Sequence, residues 1–403
     1  MRIEVEILMR LCIYQIVNVV YNMQIFFEVE EKHMSEEKVF KIFVVNPGST
    51  STKVEFFENE KSIVEANVFH DSSILKEFKT INDQLDYRME VVRQWLADNN
   101  IDLTGVDAIV GRGGACYPIE GGTYEVDDRL VADIREAKGG VYHSSMLGVQ
   151  MAKQFHDEFG GKLLMVDPIV VDEYQDVARI TGVKGIYRTS ATHALNLRAT
   201  AHKYAKSVGK KYNEMNLIVC HIDGGITITA HQHGRMIDAN DGSGGDGPMT
   251  PTRMGTMAIT DVLTKLWDKP KEEVRSLCLA TGGLSSWFGT SNSDTIHEMV
   301  EAGDPKAQLI WNAMIYQITK WIGSMACVLH GEVDGIVLTG GLMRFQDVYD
   351  GINEACGWIA PVASYPGELE HEAMRAAALR VLRGEEQAKT YPGKPRFEGF
   401  DYL

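Results

Sequence analysis

Apolar and polar positions along the chain follow two patterns in turn. Val39 to Asn46 (VFKIFVVN) is rich in β-branched and aromatic residues and runs into the turn-forming PGSTST. Lys53 to Phe57 and Ser62 to Phe69 follow, separated by a turn at Glu58 to Lys61. Short runs of this composition, bounded by Gly, Pro, Asn and Ser, predict a three-stranded meander. A similar unit recurs downstream: Asn216 to His221, a turn at Asp223-Gly224-Gly225, Ile226 to Gln232, His233-Gly234, and Arg235 to Ala239. Two strand, glycine turn, strand units imply an internally duplicated architecture.

Between and after these units the period becomes helical. The predicted helices are Leu85 to Asp98, Asp127 to Ala137, His193 to Val208, Met257 to Trp267, Lys306 to Leu329 and a last one from Glu372 to Gly384. In the longest, Ile310, Met314, Ile318, Trp321, Ile322 and Met325 recur at helical spacing, a stripe that reads as core. Strands alternating with helices imply an α/β chain with helix-covered sheets.

The 403 residues suffice for two or three domains. No Pro- or Ser-rich linker marks a boundary, so the duplication sets it. Residues 34–195 form the expected N-terminal domain and 196–371 the C-terminal, nucleotide-binding one, with 372–403 packing back on the first. Residues 1–33 stand apart. Leu11 to Phe27 is uncharged, but Gln15, Asn18, Asn22 and Gln24 interrupt it, and it falls short of the ~20 apolar residues of a span. The segment reads as an extension upstream of Met34, outside the fold.

Composition narrows the partners. A formal net charge of −16 argues against nucleic acid and acidic membrane surfaces, which need a concentrated basic face. It does not argue against a nucleotide, whose phosphates can be met locally by backbone N–H groups, a few Arg or Lys and Mg²⁺. The six cysteines show no CxxC pair or metal-ligand spacing, which points to reduced thiols and a cytoplasmic location.

Three glycine-containing turns are the candidate chemistry. Asn46-Pro47-Gly48-Ser49-Thr50-Ser51-Thr52-Lys53 follows a buried strand and leads into another strand, which excludes a P-loop. Such a turn either directs N–H and hydroxyl groups at phosphate oxygens, with Lys53 adding charge, or is an ordinary hairpin. Asp223-Gly224-Gly225 allows close backbone approach because glycine lacks a Cβ. Gly340-Gly341 follows the buried run GIVLT and could seat an adenosine or simply form a tight turn.

In this order, on duplicated sheets, the three turns match the phosphate-1, phosphate-2 and adenosine signatures of the acetate kinase, sugar kinase, heat-shock protein and actin superfamily. Within it the chain resembles the butyrate kinases of the acetokinase family. FVVNPGSTSTK, VGRGGACYPIEGGTYEV, YHSSMLG, VDPIVVDEYQDVARITG, THALNLRA, GPMTPTR, GGL followed by FGT, VDGIVLTGG and APVASYPGELE carry the resemblance, from about residue 39 to residue 385. It implies two duplicated ribonuclease H-like, actin-like ATPase domains with a cleft between them. It implies ATP, ADP and Mg²⁺ as cofactors, a short-chain carboxylate and its acyl phosphate as ligands, and a homo-oligomer, dimer or larger.

Carried over residue by residue, the resemblance places Asn46, Ser49, Ser51 and Lys53 at the transferred phosphate, and Arg112, His143 and Asp167 at the catalytic cleft. His193, His221 and Arg253 line the opposite wall, with Asp223, Gly224, Gly225, Gly340 and Gly341 at the nucleotide. Asp167, Glu368 and Glu370 are the implied metal carboxylates. His193 and His221 could equally be satisfied core histidines, and the Glu pair a solvated loop. Departures from the family are Asp223 in a turn that is usually all glycine, Asn292 where an acidic residue is expected, Leu342-Met343-Arg344-Phe345 in place of a Ser-Lys stretch, and Met146 where Asn is usual.

A carboxylate substrate, with a pKa of about 4, is already an ionised nucleophile at pH 7. No general base is required, and Arg and His donors with Mg²⁺ would stabilise the transferring phosphoryl. The expected reaction is reversible phosphorylation of butyrate or a related short-chain or branched acid by ATP. The alternatives are an acetate or propionate kinase and a non-catalytic actin-like nucleotide-binding protein.

Overall fold

The computed structural model describes residues 38–140, 142–242 and 244–401. The expectation for residues 1–33 lies outside the described residues. β1 (Lys41–Pro47) is buried along most of its length, because strands flank it and helices cover both of its faces. β2 (Ser51–Glu58) and β3 (Lys61–Phe69) return antiparallel. After α1 (Leu85–Asp98), β4 (Ala108–Arg112) joins parallel to β1. β5 (Thr123–Glu125), α2 (Asp128–Arg135), α3 (Met146–Phe159) and β6 (Lys162–Val166) complete a six-stranded sheet ordered β3-β2-β1-β4-β6-β5.

α4 (Ala194–Ser207) leads into β7 (Asn216–Ile222), β8 (Ile226–Gln232) and β9 (Arg235–Ala239). α5 (Pro305–Val328), β10 (Gly335–Gly340), α6 (Gln346–Cys356) and β11 (Val362–Pro366) complete a five-stranded sheet ordered β11-β10-β7-β8-β9, and α7 (Glu370–Leu382) follows. The two sheets share one plan. Each has an antiparallel meander whose first strand pairs in parallel with a later one, and each carries a register shift between its second and third strands, at Phe56/Phe57 and at Ala230/His231. The duplicated α/β architecture expected from the sequence is present.

Side-chain alternation explains how the layers stack. In β7, Ile218, Cys220 and Ile222 pack with the α5 stripe of Ile310, Met314 and Ile318, while Leu217 and Val219 face the α4 residues Leu197 and Ala201. Phe43 and Val45 of β1 pack with Met89 and Val92 of α1 and with Met151 and Phe155 of α3. α7 lies on β1, β4 and β6 and also touches α4. The carboxyl ends of β1, β4, β7 and β10 thereby meet the N-terminal ends of α4 and α7, the position where open α/β sheets bind ligands.

Residues from Lys41 on form one compact unit, and the proposed 195/196 division falls in the first turn of α4. Among the described residues no helix is long and apolar enough to cross a membrane. The helix expected over Met257 to Trp267 is shorter, Ile259–Lys265, and buries none of its residues, so packing does not extend it.

Candidate active site

The β1–β2 turn closes with the Gly48 amide donating to the Ser51 carbonyl at 2.7 Å. Beneath it lies Arg88, fully buried on α1, which donates to the carbonyls of Gly48 (2.8 Å), Ser49 (2.8 Å) and Ser51 (3.2 Å) and to Oε1 of Gln84. With carbonyls drawn toward Arg88, the exposed Ser49 and half-buried Ser51 remain at the turn's outer side. Lys53, exposed on β2, stands opposite Asn46 in the register. Burial pulls the Arg88 guanidinium down to about 10.

Asn46, Arg112 and Glu370 form one cluster. Nδ2 of Asn46 donates to Oε2 of Glu370 at 2.7 Å, and Nη2 of Arg112 lies 2.8 Å from its Oε1. Both carboxylate oxygens of Glu370 are thus engaged. Burial, the largest influence on Glu370, pushes its pKa up, but Arg112, Asn46, His221 and His371 together bring it below the usual range. Nη1 of Arg112 is buried and has no partner. Such a donor is costly to leave unmet and awaits an acceptor.

Glu368, two residues away, is 39% exposed at the cleft. Its pKa is raised to about 7, first by burial and then by Glu370 and Asp223, with Lys53 and Arg112 opposing. Glu368, His221 and Asp223 converge closely enough for one atom of each to share a cation. Glu370, expected as a third carboxylate of that kind, has its oxygens committed to Arg112 and Asn46.

Three imidazoles line the other wall. His193, at the N-cap of α4, stacks on His221 with centroids 4.0 Å apart, and its Nδ1 meets Oγ1 of Thr227 at 2.7 Å. Nδ1 of His221 takes a bond from Nδ2 of Asn196 at 2.9 Å. Nδ1 of His143 accepts from the Ser145 amide at 3.2 Å. All three have lowered pKa values. Burial is the first cause in each, with Arg112 and Arg253 adding to it. The rings are therefore neutral at pH 7.

The turns after β7 and β10 are tied together. Asp223 accepts from the Gly224 amide at 2.6 Å and from the Gly341 amide at 2.5 Å. At Gly225 a Cβ would lie 2.5 Å from the Arg253 guanidinium carbon, so a larger residue would displace that side chain. Arg253 donates to the Gly242 carbonyl, and its buried Nε is unpartnered. Gly340 has φ +103, and a Cβ would come within 2.4 Å of the Ile222 carbonyl oxygen. Asn292, one of the departures, caps the helix Ser293–Glu301 by accepting from the Asp294 and Thr295 amides.

Asp167 directly follows β6 and is not part of the Glu368, His221 and Asp223 group. It is buried in a positive-φ conformation (+37), with Oδ1 bound by the Gly122 amide at 2.7 Å and 2.9 Å from Nε of Arg198. Its pKa is raised, by burial above all, against the pull of Arg198. Arg88, Asn196 and Arg198 were not singled out from the sequence. Arg88 and Arg198 are long polar side chains among mostly apolar helical neighbours, a signal the sequence does contain.

The arrangement offers a cleft with unmet guanidinium donors, neutral imidazoles and a protonatable carboxylate, a set suited to stabilising a transferring anion. Residues 180–345 match the model of the acetokinase family. The chain is 42% identical over 354 residues to a probable butyrate kinase of Clostridium botulinum (strain Alaska E43 / Type E3), covering 87% of this chain and 99% of that protein. Its fold is similar to that of Porphyromonas gingivalis acetate kinase, with a TM-score of 0.68, 17% identity, and 85% of this chain and 100% of that one covered. A propionate kinase of Francisella tularensis subsp. tularensis SCHU S4 gives a TM-score of 0.64 at 17% identity, covering 84% and 98%.

Proposed function

The chain belongs to the acetokinase family and is a carboxylate kinase, and from that premise we propose that its acceptor is butyrate or a related short-chain or branched acid. The ionised acid oxygen attacks the γ-phosphorus of ATP in line. The new O–P bond forms as the bond to the β–γ bridging oxygen breaks, and ADP leaves with that electron pair. No proton moves, so the reaction reverses from acyl phosphate and ADP. The observation that carries this reading is Arg112, whose Nη2 is fixed on Glu370 while its buried Nη1 stays free for an oxygen of the transferring group.

His143, His193 and His221, held neutral, serve as N–H donors to that group and not as bases, in keeping with a nucleophile that needs none. Ser49, Ser51 and Lys53 face the transferred phosphate, while Gly224, Gly225, Gly340 and Gly341 leave room for the nucleotide. Arg253 packs against Gly225. Glu368 is the carboxylate best placed to hold Mg²⁺, because it is 39% exposed beside Asp223 while both oxygens of Glu370 are engaged. Mg²⁺ bound there would neutralise phosphate charge. Asp167 instead holds Arg198, whose further partners are Glu173 and the Gly234 carbonyl.

A cytoplasmic location is part of the proposal, supported by five cysteines that are free among the described residues. So is a homo-oligomer, supported by Ile259, Leu263 and Trp267 standing exposed on or beside one short helix. The test of function is hydroxylamine trapping of acyl phosphate from ATP and Mg²⁺ across C2 to C6 acids, straight and branched. Product is expected to peak at butyrate or its branched neighbours. A peak at acetate or propionate would reassign the acceptor, and ADP formation indifferent to every acid would overturn the reading.

A further inference from the structure

Asn196 lies in the first turn of α4 with no exposed surface, and its amide makes three hydrogen bonds, two from the nitrogen and one to the oxygen. Oδ1 accepts from the Leu369 amide at 2.8 Å. Nδ2 donates to Nδ1 of His221 at 2.9 Å and to Oγ1 of Thr339 at 3.3 Å. This orientation is forced twice over. A backbone N–H can only donate, so the atom facing Leu369 must be the oxygen. The Thr339 hydroxyl gives its one proton to the Gly367 carbonyl at 2.9 Å, so toward Asn196 it can only accept, and the atom facing it must be the nitrogen.

The consequence falls on His221. Since Asn196 donates to its Nδ1, that nitrogen carries the lone pair, and the proton of the neutral ring sits on Nε2. Nε2 is the atom on the cleft side, 4.0 Å from Oε1 of Glu368. We propose that Asn196 is a positioning residue that locks His221 as the Nε2–H tautomer, so that a neutral imidazole directs its single N–H at phosphoryl oxygens in the cleft. The identity of that ligand rests on the carboxylate kinase reading; the tautomer does not.

The alternative tautomer would turn a lone pair toward an anion and repel it. The ring does not escape by protonating, because the added proton would fall on Nδ1 and break the bond from Asn196. Arg112, Arg253, Asp223, Glu370, Glu368 and the stacked His193 are the charged and titratable groups around it. The same amide also holds Leu369, between Glu368 and Glu370, against Thr339, one residue before Gly340. The carboxylate segment and the adenosine turn therefore share one buried side chain.

Long-range proton–nitrogen NMR of the histidine rings in the full chain reads the tautomer, with His221 assigned by loss of its signals in His221→Gln. The expected result in the unaltered protein is Nε2–H. Asn196→Asp keeps an acceptor for Leu369 but turns an oxygen toward Nδ1. His221 should then become Nδ1–H or imidazolium, and kcat should fall about 10²- to 10⁴-fold. KM should change far less, and the pH profile should gain an ionisation absent before. An Nδ1–H ring in the unaltered protein overturns the inference with no variant needed. A switched tautomer with unchanged kcat overturns its catalytic half. If no acid is phosphorylated by the unaltered protein, the functional reading fails separately, and the NMR result still decides the tautomer.

Discussion

The amide of Gly341 donates to Oδ2 of Asp223 at 2.5 Å, while Oδ1 takes the amide of Gly224 at 2.6 Å. One side chain thus braces the turn after β7 against the turn after β10. From the sequence, a carboxylate in this turn poses a choice between holding a cation and repelling the nucleotide. The two amide bonds supply a third role, because they meet the charge with oriented dipoles.

Asp223→Gly removes that brace and leaves the adenosine turn to reorganise on binding. Hydrogen bonds to a charged group are worth about 1.5–3 kcal/mol, so KM for ATP should rise about tenfold or more. The Mg²⁺ requirement and kcat at saturating ATP should change little. Titrations of ATP and of Mg²⁺ on both proteins check this. Tighter ATP binding would show that the carboxylate competes with phosphate for the same amides, and a raised Mg²⁺ requirement would show that it is a metal ligand.

Arg112→Ala should lower kcat about 10²- to 10³-fold, the usual cost of losing a donor aimed at developing charge. ATP affinity, measured by calorimetry without the acid, should be nearly unchanged, since Arg112 contacts Glu370 and not the adenosine turn. Arg112→Lys should rescue little, because an ammonium cannot hold Glu370 and present a second, fixed N–H at once. Full activity in either variant would confine Arg112 to supporting Glu370.

Much of the fold was legible where periodicity was strong. β8, β9 and α1 begin and end where the pattern places them. The last helix begins at Glu370, two residues before the expected Glu372, because its first turn is anchored from outside by Asn46 and Arg112. No local pattern encodes such bonds. α3 is absent from the predicted helices although Leu147, Met151 and Phe155 recur at helical spacing, and its start carries no side-chain cap to mark it. The motif residues could be named from the sequence, but their partners could not. Arg88 and Asn196 reach the site only through long-range contacts.

Arg88→Met should test the phosphate turn. The arginine is buried without a paired carboxylate and serves the Gly48, Ser49 and Ser51 carbonyls. The carbonyls at this partly exposed turn can recover water, so the stability loss should stay near 1–3 kcal/mol. The turn should loosen, and kcat/KM for ATP should drop by at least about tenfold. Urea unfolding and steady-state kinetics separate the two effects. A protein destabilised but fully active would show that the turn's shape does not depend on Arg88.

The same turn gives the chain a sensitivity to acid. His70 donates its amide to the Thr50 carbonyl at 2.9 Å, its Nε2 lies 2.7 Å from Oγ1 of Thr52, and its Nδ1 is buried and unpartnered. Burial, and after it the charge of Arg88, takes the ring from its ordinary 6.5 to about 4. The folded pKa lies below the unfolded one, so the stabilisation is complete above pH 6.5. It is lost as pH falls toward 4, where the unfolded chain binds a proton that the native ring refuses. Moving the ring from 6.5 to about 4 corresponds to roughly 3–4 kcal/mol at most. His70→Gln keeps a polar group beside Thr52 and removes the titration. Its unfolding free energy should therefore fall less steeply than that of the unaltered protein between pH 6.5 and 4, with the gap between the two curves closing or reversing as pH drops. Urea unfolding across that range measures the gap, and a gap independent of pH would mean that His70 is protonated as readily in the fold as out of it.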